Sequence, residues 1–280
     1  MTPQNAPVGD LTGRVILLTG ASSGIGLAAA QELARRRAHL IITGRNAERL
    51  TAAVARITAA GGRPPVAFQA DFTRLDDVHV LADKVRTTYR RIDVLVNNAG
   101  GLPGGRKTTV DGHQTTMQGN HLGPFLLTNL LREQTRGGRI VNTSSDAHKR
   151  AAADPDNLSA HSGFKAYGAS KAANILFTVE AARRWPDTLS VCFHPGFVKT
   201  RFAAGTPIGA LSQLVPFRLS VEKGAETLVW LAAAGPGELT QGGYYVKRKL
   251  QRPAGHATDP ARAARLWDAS MRAVGLEWQY

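Results

Sequence analysis

Short apolar runs alternate with amphipathic stretches along nearly the whole chain. Residues 14–19 (RVILLT), 39–43 (HLIIT), 65–69 and 93–96 read as four strands, separated by helical patterns over 24–37, 47–60 and 75–89. Arg35, Arg36 and Arg37 close the first helix where its dipole favours positive charge, and glycines 61 and 62 stop the second. A long helical region is predicted over 111–134, a fifth strand over 139–143 and a helix over 166–184. A sixth strand follows over 189–194, then a helix over 222–234, a seventh strand over 243–246 and a last helix over 260–273. Strands that alternate with helices form βαβ units and a parallel sheet covered on both faces. Right-handed crossovers then give a doubly wound α/β architecture with seven parallel strands. There is no internal repeat and no linker that divides the chain. The expected organisation is an N-terminal flexible segment, 1–10, and one domain, 11–280. Two loops are long, 147–164 and 203–219. The second mixes breakers (Gly205, Pro207, Gly209, Pro216) with apolar side chains (Ile208, Leu211, Leu214, Phe217), which predicts a substrate lid or a contact with a second copy of the chain.

Composition narrows the function classes. With 280 residues, 43% hydrophobic and 20% charged, the chain is ordinary globular protein rather than disordered. A chain of this size buries about 75% of its unfolded surface and needs no metal or disulfide staple. The single cysteine, Cys192, allows no internal disulfide. No stretch approaches the roughly 20 apolar residues of a membrane span. The first ten residues lack the charged and apolar regions of a signal peptide, so the expected location is the cytoplasm. The formal charge of +14 invites a nucleic-acid reading, but the basic residues are scattered and none of their clusters is interleaved with aromatics. No nucleic-acid partner is expected; the charge can instead steer an anionic cofactor.

Three places carry candidate chemistry. The stretch Thr19-Gly20-Ala21-Ser22-Ser23-Gly24-Ile25-Gly26 follows the first strand and opens a helix. Glycines there let the backbone turn tightly and approach a diphosphate, and the helix start offers free N–H groups; a plain tight turn is the alternative. The second strand ends Thr43-Gly44-Arg45. An NAD-preferring fold usually has an acid at the place of Gly44, whereas Arg45 suits the 2′-phosphate of NADP or is simply a solvated arginine. Asp71 is placed to contact an adenine amino group or to cap a helix. The third place is Tyr167-Gly-Ala-Ser-Lys171, a phenol and an ammonium one helical turn apart. The positive charge is expected to lower the phenol's pKa toward neutrality, which suits a group that protonates a carbonyl oxygen. Ser144 and Ser145 end the fifth strand, and Asn97-Asn98-Ala99-Gly100 ends the fourth, both at the sheet edge where ligands bind. His113, His121, His148, His161 and His194 show no metal-ligand spacing, and no metal site is expected.

In this order, over about residues 11–202, these motifs resemble the short-chain dehydrogenase/reductase family, with a Rossmann-type fold. GNHLGPFLLT (119–128), VNTSSDAH (141–148), KAANILF (171–177) and HPGFV (194–198) are similar to its retinol dehydrogenase-like branch. The resemblance implies a catalytic tetrad of Asn120, Ser145, Tyr167 and Lys171, with Asn120 holding a water that links Lys171 to solvent. It also implies a cofactor site from Gly20, Ser22, Ser23, Gly24, Ile25, Gly26, Arg45, Asp71, Asn98, Gly100, Tyr167, Lys171, Pro195, Gly196, Val198 and Thr200. Two departures stand out. Position 23 is serine where many NADP-dependent members carry a basic residue, and the membrane anchor of animal retinoid enzymes is not expected here. The expected activity is hydride transfer between NADPH, rather than NADH, and an apolar ketone or aldehyde of polyketide, steroid-like or terpenoid type, forming the alcohol. A module that binds NADP(H) without turnover is the alternative. The expected partner is this small carbonyl or alcohol substrate, with self-association left open.

Overall fold

Every position of Val15–Leu18 is Val, Ile or Leu, a pattern that fits a strand covered on both sides. In the computed structural model, which describes residues 9–61, 63–102, 107–198 and 218–277, this strand, β1, lies inside an eight-stranded sheet. Around it run α1 (Gly24–Arg35), β2 (His39–Gly44), α2 (Ala47–Ala59), β3 (Val66–Gln69), α3 (Leu75–Thr88) and β4 (Val94–Asn97). A short turn α4 (Thr115–Met117), a π-turn (Gln118–Leu122) and α5 (Gly123–Leu130) lead to β5 (Arg139–Thr143). Next come α6 (Gly163–Arg184), β6 (Leu189–His194), α7 (Val221–Ala233), β7 (Tyr244–Val246), β8 (Lys249–Gln251) and α8 (Pro260–Ala273).

The sheet order is β3-β2-β1-β4-β5-β6-β7-β8, and the first seven strands are parallel. The chain reverses its direction of travel between β1 and β4, which opens a crevice at the carboxyl ends of those strands. Alternate strand residues feed opposite faces. Leu17, Ile41 and Leu95 pack with Leu81 of α3, Phe125 of α5, Phe177 of α6 and Trp267 of α8. Ile16, Leu18, Ile42 and Val96 pack with Leu33 of α1, Ile57 of α2 and Leu228 of α7.

Two expectations need correction. The sheet has eight strands, not seven. β8 returns antiparallel to β7 through a two-residue turn in which Lys247 and Arg248 hold φ of 51° and 62°. The helix expected over 111–134 runs only over Thr115–Leu130 and is broken by the π-turn. Its first residues do other work: the Asp111 carboxylate accepts hydrogen bonds from Leu75 N at 3.0 Å and Gln118 Nε2 at 2.5 Å, and so serves the start of α3. The expected flexible segment falls mostly on residues 1–8, and most of the expected lid on 203–217; both lie outside the described residues, as does Thr200.

Candidate active site

The loop between β1 and α1 is built for close approach. Gly20 and Gly24 have φ of 68° and 55°, a region that L side chains avoid. A β-carbon on Gly26 would stand 2.3 Å from Gly20 O and 2.6 Å from Asn98 Nδ2, so only glycine fits there. The turn after β4 locks onto this loop. Thr19 Oγ1 accepts from Asn98 N at 3.0 Å and Ala99 N at 2.9 Å, while Asn98 Nδ2 donates to Thr19 O at 3.0 Å. At the head of α1, Ser23 gives no side-chain cap and the first turn carries no acid, so its N–H groups keep their positive potential. Ile25 and Val198 meet over Gly224 of α7, where a β-carbon would lie 2.5 Å from Val198 Cγ2 and 3.3 Å from Ile25 Cγ1. Pro195 and Gly196 follow β6; Gly196 has φ of 90°, and a β-carbon on it would stand 2.6 Å from Leu219 Cδ1.

At the end of β2, a β-carbon on Gly44 would come 2.8 Å from Ser22 Oγ. The position expected for an NAD-selecting acid is thus closed by Ser22. Arg45 beside it is exposed, with no carboxylate partner among the described residues. Asp71 is not the cap of α3. Its Oδ1 accepts from Thr73 N at 2.9 Å and Thr73 Oγ1 at 2.8 Å, forming a local turn before the helix.

Tyr167 and Lys171 lie on α6, Ser145 just beyond β5 and Asn120 on the π-turn. The phenol of Tyr167 is hydrogen-bonded to Ser145, and Lys171 Nζ lies 5.6 Å from the centre of its ring. Lys171 Nζ donates to Thr143 O at 3.1 Å. The two serines divide their work: Ser144 Oγ donates to Lys171 O at 2.9 Å, which leaves Ser145 as the hydroxyl at the phenol. Asn120 straps the turn after β4, its Oδ1 accepting from Gly101 N at 2.8 Å and its Nδ2 donating to Gly101 O at 3.0 Å and Ser170 Oγ at 3.0 Å. A β-carbon on Gly100 would lie 3.0 Å from Asn120 Oδ1 and 3.5 Å from Lys171 Nζ.

The electrostatics correct the sequence argument. Burial pushes the Tyr167 phenol up to about 12, with the Ser145 hydrogen bond opposing it, and burial pulls the Lys171 ammonium down to about 8. Desolvation is the largest influence on both groups, so the phenol holds its proton at neutral pH in this arrangement.

The short-chain dehydrogenase family model matches residues 14–207. The chain belongs to the short-chain dehydrogenase family. It is 49% identical over 279 residues to the "Putative daunorubicin C-13 ketoreductase DnrU" of Streptomyces sp. (strain C5), covering 98% of this chain and 97% of that protein. It is 32% identical over 281 residues to mouse retinol dehydrogenase 12, covering 96% and 89%, which bears out the branch read from the motifs. A solved short-chain dehydrogenase from Burkholderia cenocepacia J2315, in complex with NADP, matches with a TM-score of 0.66 and 30% identity, covering 80% of this chain and 92% of its own. The protein is therefore an oxidoreductase of this family, and no helix among the described residues is long and apolar enough to cross a membrane.

For this family member the sequence reading passed over Asn174. Its Nδ2 donates to Asn120 O and to Thr143 O, both at 3.0 Å, so one amide braces the π-turn and the carbonyl that holds Lys171. Its Oδ1 faces His121 Nδ1 at 3.2 Å, and His121 Nε2 faces Ser270 Oγ of α8 at 2.9 Å. The placement of Asn174 three residues beyond Lys171, on the same side of one helix, was the available signal.

Proposed function

We propose that the protein reduces the carbonyl group of a bulky, apolar ketone or aldehyde, with NADPH as the hydride donor. The assembly of Tyr167, Ser145, Lys171 and Asn120 beside a glycine cradle carries this reading. The loop fits a dinucleotide: Gly20 and Gly24 hold it in the left-handed region, Gly26 lets it close onto Asn98, and the uncapped start of α1 suits a diphosphate. Gly20, Ser22, Ser23, Gly24, Ile25 and Gly26 would hold the diphosphate side, Arg45 the 2′-phosphate and Asp71 the adenine. Asn98 and Gly100 would support the site, with Pro195, Gly196 and Val198 at the nicotinamide end. The bound cofactor supplies the hydride.

The chain's own residues do the rest. Ser145 steadies the carbonyl oxygen, and Tyr167 donates its proton there. A phenol held near 12 carries its proton at neutral pH, so it is available as the donor to the carbonyl oxygen. Lys171, pulled down to about 8, exchanges protons near neutrality and sits within reach of the turn that Asn120 straps. Phe164, 41% exposed with its ring 5.9 Å from that of Tyr167, and Phe197, 50% exposed, offer apolar surface to a substrate. The ketoreductase name of the Streptomyces relative points the same way. A cytoplasmic setting suits the reaction, since NADPH is a cytoplasmic reductant and the single cysteine is buried.

The test is Tyr167→Phe, assayed by NADPH oxidation over a panel of aromatic and alicyclic ketones. The variant should lose at least about a hundredfold in kcat, because general acid catalysis supplies that much, and keep its NADPH affinity within about twofold. A variant that retains more than a tenth of kcat would remove Tyr167 as the acid. NADPH binding with no turnover over the whole panel would favour the regulatory module instead.

A further inference from the structure

A cleft of about 370 Å³ opens beyond Ser145, and its lining includes Asp146, Lys149, Tyr244, Lys247, Lys249 and Arg252. It adjoins the candidate catalytic serine: Asp146 directly follows Ser145 in the chain and takes the Tyr244 hydroxyl of β7 as a hydrogen-bond donor.

The one carboxylate that lines the cleft among the described residues is already satisfied. Asp146 Oδ1 pairs with Lys149 Nζ at 3.1 Å and accepts from the Tyr244 hydroxyl at 3.3 Å, while His194 Nε2 lies 3.8 Å from Oδ2. Lys247, Lys249 and Arg252 have no ion pair among the described residues. The cleft therefore presents surplus positive charge.

The turn that delivers these lysines is unusual in its residues. Two-residue hairpin turns with positive φ at both positions are normally made by Asn and Gly, which adopt that conformation at little cost. Here Lys247 and Arg248 occupy both positions, at φ of 51° and 62°. The strained turn sends Lys247 and Lys249 into this cleft and Arg248 into the groove between α1 and α7. Protection of an edge strand from pairing would account for Lys249 alone, not for a basic pair held in the left-handed region.

We propose that this cleft binds an oxyanion, a carboxylate or phosphate, carried by the carbonyl substrate at its end remote from the reacting carbon. The proposal rests on the reductase reading for its substrate and narrows it: the molecule is apolar around the carbonyl and anionic at the far end.

The test compares two ketones that differ only in charge, 4-acetylbenzoate and its methyl ester, with NADPH at low ionic strength. The acid should exceed the ester in kcat/KM by about tenfold, as charge-assisted hydrogen bonds give, and salt should erode that advantage. In the variant Lys247→Gln/Lys249→Gln/Arg252→Gln the ratio should fall to about one. Removing three charges elsewhere, in Lys84→Gln/Arg86→Gln/Lys223→Gln, should leave the ratio high. Inorganic phosphate should compete with the acid and not with the ester. An equal ratio in the unmodified enzyme, a ratio that survives the cleft variant, or phosphate that activates ester reduction as a free effector would each overturn the proposal. If neither ketone turns over, the reductase reading fails on this pair, and calorimetric titration of 4-acetylbenzoate decides the cleft separately. Binding that the cleft variant loses upholds it, and no binding to the unmodified enzyme overturns it.

Discussion

The first two strand-to-helix turns occupy equivalent places in the topology and are finished in opposite ways. After β1 the chain uses three glycines, leaves the start of α1 without a side-chain cap and keeps acids out of its first turn. After β2 the chain closes on itself: Asn46 Oδ1 accepts from Arg49 N at 2.8 Å, and Glu48 sits in the first turn of α2. The second helix satisfies its own donors and dipole. The first leaves both open. The comparison separates a turn that stabilises the fold from the one proposed to hold the cofactor, and Arg45 stands between them.

Three substitutions probe that difference. Gly26→Ala should have the largest effect, because its β-carbon would sit 2.3 Å from Gly20 O, inside the contact between the glycine loop and Asn98. We expect NADPH affinity to fall by more than about a hundredfold and overpacking to lower stability by about 1–3 kcal/mol. Cofactor fluorescence titration and thermal unfolding measure the two, and near-normal affinity would mean that the first turn is not the cradle. Arg45→Asp should come next. It should weaken NADPH by about tenfold to a hundredfold and leave NADH within about twofold, as loss of a charge-assisted contact predicts. Equal kcat/KM for the two cofactors in the unmodified enzyme would remove this role. Asn46→Ala should do least. Loss of the cap costs about 1 kcal/mol, readable in urea unfolding, with NADPH affinity unchanged. A clear loss of affinity there would erase the distinction between the turns.

How much was legible follows from what each part depends on. The parallel strands and their helices were legible because a covered sheet needs continuous apolar runs, and residues such as Ile16, Leu17 and Leu18 supply them. The cap of α2 and the glycine loop follow from local backbone rules. β8 was hidden for the opposite reason: Lys249–Gln251 is exposed along its length, and its turn lacks the expected asparagine and glycine. The break at Gln118–Leu122 depends on hydrogen bonds from distant residues, among them Asn174, which no local pattern encodes. The candidate tetrad came with the family resemblance that motif order carries, but the proton affinity of Tyr167 was misjudged. Spacing along a helix says that a phenol and an ammonium are neighbours and says nothing of how dry their surroundings are.

The bridge from Asn174 through His121 to Ser270 makes the docking of α8 sensitive to acid. Burial, with the Lys171 charge adding to it and the Asn174 hydrogen bond opposing, pulls the His121 imidazole down to about 4, so it stays neutral in the folded protein. Once unfolded, it would take up a proton near 6.5. Above that pH the ring costs nothing. As pH falls from 6.5 toward 4, the unfolded chain gains protons that the native one refuses, and stability drains away by on the order of 3 kcal/mol. Unfolding followed between pH 7 and pH 4.5 should show that decline, and His121→Gln, whose amide cannot titrate in this range, should make it shallower, with burial of His39, His148 and His194 supplying the remainder. The acid tolerance of the enzyme is thus set partly at α8, by a buried ring that stands behind the Asn120 strap and lies outside the proposed chemistry.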